Sequence, residues 1–160
     1  MRKTTGSQAR EFTRDNERWR AVSAWCAGSG DYLLYLLPLT ADGPAPDDRR
    51  DRRARLSSGE SLAGLPEARL VDLLEDGAAL TETERRITDV RGRPWLAQAT
   101  GPAWADAGVA EGLTGVLFTL LDGTSRRVRV RDGGLARLPE ADLKAALQEA
   151  LEKAGGELAE

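Results

Sequence analysis

The 160-residue sequence predicts an α+β fold: two β-β-β-β-α units, each an antiparallel meander with one helix, packed on each other as a pseudo-twofold dimer. Three observations predict it. The first is a repeated segment. Residues 52–56 and 126–130 share three identities in five columns, and residues 62–74 and 135–147 share eight in thirteen. Both copies read as an arginine-studded strand, a loop and a helix opening on Leu-Pro-Glu-Ala. The second is the order of elements, since a continuous apolar strand (Tyr32–Leu39, then Leu113–Leu121) precedes each arginine strand. The third is helical periodicity after each Leu-Pro-Glu-Ala, with Leu70, Leu73 and Leu74 on one face of the first helix and Leu143, Ala146, Leu147, Ala150 and Leu151 on one face of the second.

Residues 1–9 are polar and aperiodic and are expected to be disordered; the first repeat then occupies 10–77, the second 78–155, and 156–160 is a frayed tail. In the first repeat a short strand near Phe12-Thr13 turns at Asp15-Asn16-Glu17 into a strand from Arg18 to Ala27, with Trp19, Ala21, Ser23 and Trp25 on one face. Tyr32–Leu39 has the unbroken apolarity of a strand covered on both faces. Thr40–Asp48 carries the Gly, Pro and Asp of a mobile loop, the arginine strand follows, and a helix runs from Pro66 to Asp76 with Gly77 past its end.

In the second repeat Thr81-Glu82-Thr83-Glu84 fits a capping box, but a strand to Val90 is preferred because Ile87-Thr88 echoes Phe12-Thr13. After a turn at Arg91-Gly92-Arg93 comes a strand in which Trp95 answers Trp19, then an excursion over 101–112 bearing Trp104, then the second apolar strand with Phe118 where Tyr35 stood. Asp122-Gly123 signals a hairpin, and a second helix spans Pro139–Ala154 with outward pairs Glu140–Lys144 and Glu149–Lys153. The link from Gly77 to Leu80 is too short for a spacer, so the two units are expected to share a core.

The second copy, with Thr88-Asp89, Gly92-Arg93-Pro94-Trp95, Arg126-Arg127 and Leu138-Pro139-Glu140-Ala141-Asp142-Leu143, resembles small uncharacterised bacterial β-rich proteins. These carry a Gly-Arg-x-Trp turn, a hairpin with paired arginines and a helix opening Leu-x-Asp/Glu. The resemblance covers about half the chain and implies no function. The first copy departs from it in lacking the glycine turn before Trp19 and in its Thr40–Asp48 loop.

Composition excludes much chemistry. There is no histidine, so the commonest metal ligand, the commonest general base and the Ser-His and Cys-His nucleophile pairs are missing. Cys26 is the sole cysteine, which rules out an intrachain disulfide and a cysteine-based zinc site. No cofactor, metal or catalytic residue is expected. Residues 1–6 lead into no apolar signal segment and the longest apolar run is too short to cross a bilayer, so a cytoplasmic setting without membrane insertion is expected.

The candidate binding residues are Trp104 and the arginines Arg52, Arg53, Arg55, Arg126, Arg127 and Arg129. Guanidinium forks suit phosphates and acidic partners, but arginines alternating outward on a strand equally pair with Asp47, Asp48, Asp51, Glu82 or Glu84. A net charge of -3 with only three lysines weighs against nucleic acid. Core packing is expected of Trp19, Trp25 and Trp95, and of Cys26, while Trp104 is poised between plugging the core and a partner's pocket. The expected function is a non-catalytic binding or accessory subunit docking on a protein partner. The alternative is a nucleic-acid or phospholigand binder using the paired arginine strands.

Overall fold

The structure is a computed structural model, and it describes residues 9–26, 30–45, 48–100, 115–122, 124, 126–131, 135 and 137–153. Over the described residues the chain is α+β, with two antiparallel sheets and two α-helices. The first sheet holds β1 (Ala9–Arg14), β2 (Glu17–Cys26), β3 (Asp31–Thr40), β4 (Gly43–Pro44), β5 (Arg52–Ala54) and β6 (Ala78–Ala79). Its order is β1-β2-β3-β5-β6, with β4 on the end of β3. The second sheet, ordered β10-β9-β8-β7, holds β7 (Glu84–Thr88), β8 (Pro94–Thr100), β9 (Gly115–Leu120) and β10 (Arg127–Val130). Helices α1 (Glu67–Asp76) and α2 (Glu140–Lys153) follow β5 and β10 in the chain. No described helix is long and apolar enough to cross a membrane.

Side-chain alternation sorts these elements into four layers. Trp19, Ala21, Leu34 and Leu36 face α1, burying its stripe of Leu70, Leu73 and Leu74. The alternate residues Val22, Ala24, Leu33, Tyr35 and Leu37 face the other way and meet Leu96 of the second sheet and Leu121 just past β9. Trp95, Ala97, Phe118 and Val128 form the outer face of that sheet, covered by Leu143, Leu147 and Leu151 of α2. The order is therefore helix, sheet, sheet, helix, and β3 is buried on both faces as its unbroken apolarity predicts.

Pairing registers correct one equivalence. Trp19 stands opposite Pro38, and Trp95 opposite Leu120. Counting back from those pairs sets Leu36, not Tyr35, in the place of Phe118. Tyr35 points between the sheets and Phe118 points at α2, since a slip of one residue exchanges the faces of a strand. Trp25 also differs from expectation: it lies beyond the cover of α1, half-buried, with its ring edge-on to Tyr32 at 5.3 Å.

Several local signals act as read. Asp15 and Asn16 take positive φ (54° and 66°) in the two-residue turn that joins β1 to β2. Strand pairing starts earlier than expected, with Ala9 already opposite Val22. The capping-box residues make their bonds without a helix: the Thr81 N–H donates to Glu84 Oε1 at 2.9 Å, and the chain then enters β7. The surface pairs Glu140–Lys144 and Glu149–Lys153 form along α2. The Gly77–Leu80 link is used as structure, since Ala78 and Ala79 pair with Arg53 and Arg52.

The two helix entries are gripped alike. The Arg10 guanidinium on β1 donates to the Leu62 and Leu65 carbonyls at 3.0 and 2.7 Å, just ahead of Pro66-Glu67. The Arg85 guanidinium on β7 donates to the Leu138 carbonyl at 3.0 Å, just ahead of Pro139-Glu140. Glu67 and Glu140, in the first helical turns, reach back to the same strands, accepting from the Thr13 N–H and from Arg85.

Gly115 opens β9 where no side chain fits. A Cβ there would stand 2.3 Å from the Val130 carbonyl oxygen of β10 and 2.9 Å from Cα of Arg131 just past it, both backbone atoms. Gly115→Ala must therefore splay β9 from β10, and the expected loss is about 2 kcal/mol, measured as a fall in the urea midpoint at unchanged m.

Candidate functional site at the seam between the sheets

The polar residues that are buried as a whole gather in one place. Among the described residues they are Asp51, Glu84, Arg86, Gln98, Thr100 and Thr119. All but Asp51 lie on the face of the second sheet turned toward the first, in alternation with the Trp95, Ala97 and Phe118 face. A buried charge is tolerated only when paired and hydrogen-bonded, and each of the two pairs here joins the halves of the chain.

Glu84 on β7 is the first hub. Its Oε1 accepts from Arg53 of β5 at 2.8 Å and from the Thr81 N–H and hydroxyl at 2.9 and 3.0 Å. Its Oε2 accepts from the Tyr35 hydroxyl at 2.7 Å and has the Cys26 thiol at 3.9 Å. Burial first, and the Glu84 charge after it, push the Tyr35 phenol far above its ordinary range, so it remains a donor. Burial opposes the Arg53 charge, but Glu84 outweighs it and raises Arg53 further. The second hub is Arg86, whose Nε and Nη2 fork onto Asp51 at 2.5 and 3.0 Å, both side chains being at most 1 % exposed. Its Nη1 donates to the Ala45 carbonyl at 2.7 Å, and its backbone N–H to Asp48 at 2.9 Å. The loop expected to be mobile is thus fastened to the second half at both Ala45 and Asp48.

Beside Glu84 a cavity of about 350 Å³ opens, lined by Cys26, Arg53, Thr81, Thr83, Glu84 and Gln98. Gln98 crosses the seam, its Nε2 donating to the Trp25 carbonyl at 2.7 Å. Both oxygens of Glu84 accept from donors within the fold, so this carboxylate ties β7 to β3 and β5 across the seam. No group of three or more metal-ligating side chains occurs among the described residues.

The arginines singled out by sequence disperse. Arg53 enters the seam and pairs with Glu84, one of the acidic partners the sequence offered. Arg52 turns outward, its Nη1 donating to the Arg49 and Asp51 carbonyls at 3.2 and 2.8 Å. Arg55 forms an exposed ion pair with Asp31. Arg126 is exposed ahead of β10, and Arg127 and Arg129 share the β10 face opposite Val128. Arg53 of β5 pairs with Glu84 of β7, while β10 is the opposite edge of that sheet with β8 and β9 between, so the two arginine strands are set apart across the width of the second sheet. They do not form one cleft. Trp104 lies outside the described residues.

A groove of about 620 Å³ runs between β10 and α2, with Val130, Leu135, Ala146 and Ala150 beneath and Arg129, Asp142, Glu149 and Lys153 along it. Sequence reasoning missed Arg86 and Tyr35 because neither sits in a motif. Their signal is only that they fall on a strand face otherwise apolar in the partner sheet.

A third polar knot closes the β7–β8 turn. The Asp89 carboxylate accepts from the Arg91 and Arg93 N–H groups, from Arg93 Nε and from the Trp95 indole, all at 2.8–2.9 Å. Burial opposes its ionisation, but the Trp95 and Arg93 donors win and hold its carboxyl below the ordinary range. A depressed carboxyl contributes stability that is complete above its unfolded pKa and is lost as pH falls through the folded one. Asp89→Asn should accordingly flatten the acid limb of the stability curve below about pH 4, read by urea unfolding from pH 2 to 7. At the seam, Arg86→Met strands Asp51 and should cost roughly 3–5 kcal/mol, whereas Arg86→Met with Asp51→Leu should recover most of it. Equal losses in the single and double variants would show that the pair is not the tie.

Compared with known proteins, the chain has no significant match to any family model, to any curated protein or to any solved structure.

Proposed function

We propose that the protein is a non-catalytic binding subunit, working in the cytoplasm, that docks an amphipathic segment of a protein partner in the groove between β10 and α2. The observation that carries this is the make-up of the groove. Its floor is small and apolar (Val130, Leu135, Ala146, Ala150), and its rim mixes Arg129, Arg131 and Lys153 with Asp142 and Glu149. An apolar floor with a rim of both signs suits a protein surface. A nucleic acid calls for one sign along a continuous ridge, and the separation of β5 from β10 speaks against that reading.

We further propose that the chain is an internal duplication whose halves pack as a pseudo-dimer. Support comes from the matching strand orders β1-β2-β3-β5 and β7-β8-β9-β10, each followed by a helix, and from the matching grips of Arg10 on Leu65 and Arg85 on Leu138. In a duplicated scaffold the buried ion pairs are accounted for as joints between copies, which leaves surface rather than interior for function.

The test is capture of partners from native lysate by the wild type and by two variants. Ala145→Arg, exposed on the groove side of α2, should reduce recovery of a specific partner at least tenfold. Arg18→Glu, on β2 of the other sheet, should leave it unchanged. Equal recovery by both variants removes the groove from the function.

A further inference from the structure

The two halves treat their paired tryptophans differently, and the difference leaves a donor waiting. Trp95 has its indole N–H on the Asp89 carboxylate at 2.8 Å and the Arg93 guanidinium 5.8 Å over its ring. Trp19, at the corresponding place, has the Arg50 guanidinium 5.3 Å over its ring, but its Nε1 is buried and finds no acceptor among the described residues. A buried N–H without a partner costs about 1–3 kcal/mol and calls for explanation.

The pairing registers supply the reason. Ile87 stands opposite Trp95 and Phe12 opposite Trp19, so Asp89, two residues beyond Ile87, corresponds to Arg14. A cation occupies the place of the accepting carboxylate. Glu17 is the nearest native substitute, and it does not serve. Arg50 first, and the nearby indole more weakly, lower its carboxyl, but the approach of the indole falls short of a hydrogen bond and Arg50 donates to both Glu17 oxygens at 2.6 Å.

Around Trp19 lies a polar hollow of about 230 Å³ walled by Arg14, Arg50, Arg52, Leu74 and Glu75. Arg14 pairs with Glu75 at 3.0 Å and more distantly with exposed Asp15, and Arg50 pairs with Glu17. Among the described residues the Arg52 guanidinium has backbone carbonyls for partners and no carboxylate.

We propose that this hollow is a binding site for an oxyanion group, a phosphate or a carboxylate, that takes the role Asp89 plays in the other half. Arg14 and Arg52 supply the forked donors. The exposed Arg50–Glu17 pair, which shifts at little cost, moves aside to let the indole N–H donate to the incoming oxygen. This site is separate from the β10–α2 groove and does not depend on the reading given to it.

Indole proton–nitrogen NMR of the full chain tests the assignment. Sodium phosphate and sodium acetate are titrated separately, with sodium chloride as the control at matched ionic strength, and Trp19→Phe identifies the resonance. The Trp19 indole signal should move and saturate with phosphate or acetate while that of Trp95 stays in place. The anion that saturates at lower concentration identifies the group as phosphoryl or carboxyl. Arg52→Gln and, separately, Arg14→Gln should weaken saturation at least tenfold, with an unmoved Trp95 signal showing that each variant is folded. A Trp19 signal that moves equally with chloride, denoting an adventitious ion only, overturns the proposal. So does a signal that does not move, or saturation unchanged in both variants.

Discussion

The fork of Arg86 onto Asp51 is the contact on which the arrangement of the molecule turns. Each half has its own apolar layer between sheet and helix, but the layer between the sheets is thin. Among the described residues, Leu96 of β8 and Leu121 just past β9 join its buried cluster from the second half, against six residues from the first sheet. Beside the buried Leu117, the second sheet sets Glu84, Arg86, Gln98, Thr100 and Thr119 on its inner face. Apolar surfaces slide at small cost, whereas a buried fork fits in one position. The ion pairs therefore fix which strand lies against which, a role better attested for buried charges than net stabilisation.

That economy explains where the polar groups went. A chain without histidine and with one cysteine carries its chemistry on carboxylates and guanidinium groups, and the most deeply buried of these are committed to joints. Glu84 satisfies a tyrosine, an arginine and a backbone turn at once, and Asp89 satisfies four donors. The same residue types at the surface, on the rim of the β10–α2 groove and around Trp19, are exposed enough to exchange partners.

The fold was largely legible because its signals are local. The alternation in β2, the unbroken apolarity of β3 and the leucine stripe of α1 each follow from period and from what a face must cover. What escaped were relations across the chain. Nothing within the sequence around Arg86 distinguishes it from Arg85, yet one is sealed in the seam and the other grips a helix entry, because the two point to opposite faces of β7. The Tyr35–Phe118 equivalence failed for the same reason: identity of type suggested a match, and parity along the strand decided otherwise. Of the candidate site, Arg53 and its partner Glu84 were readable as a strand arginine with an acid available. The separation of the two arginine strands was not, since it depends on which edges the two sheets bring together.

The small turn at Thr81 to Glu84 lowers the entropy cost of building the seam. Its bonds span three residues, whereas Glu84 meets Tyr35 and Arg53 across 49 and 31, and a short loop costs less to close than a long one. The turn holds one Glu84 oxygen by itself, so part of the orientation of the central carboxylate is fixed locally rather than by the joining of the sheets.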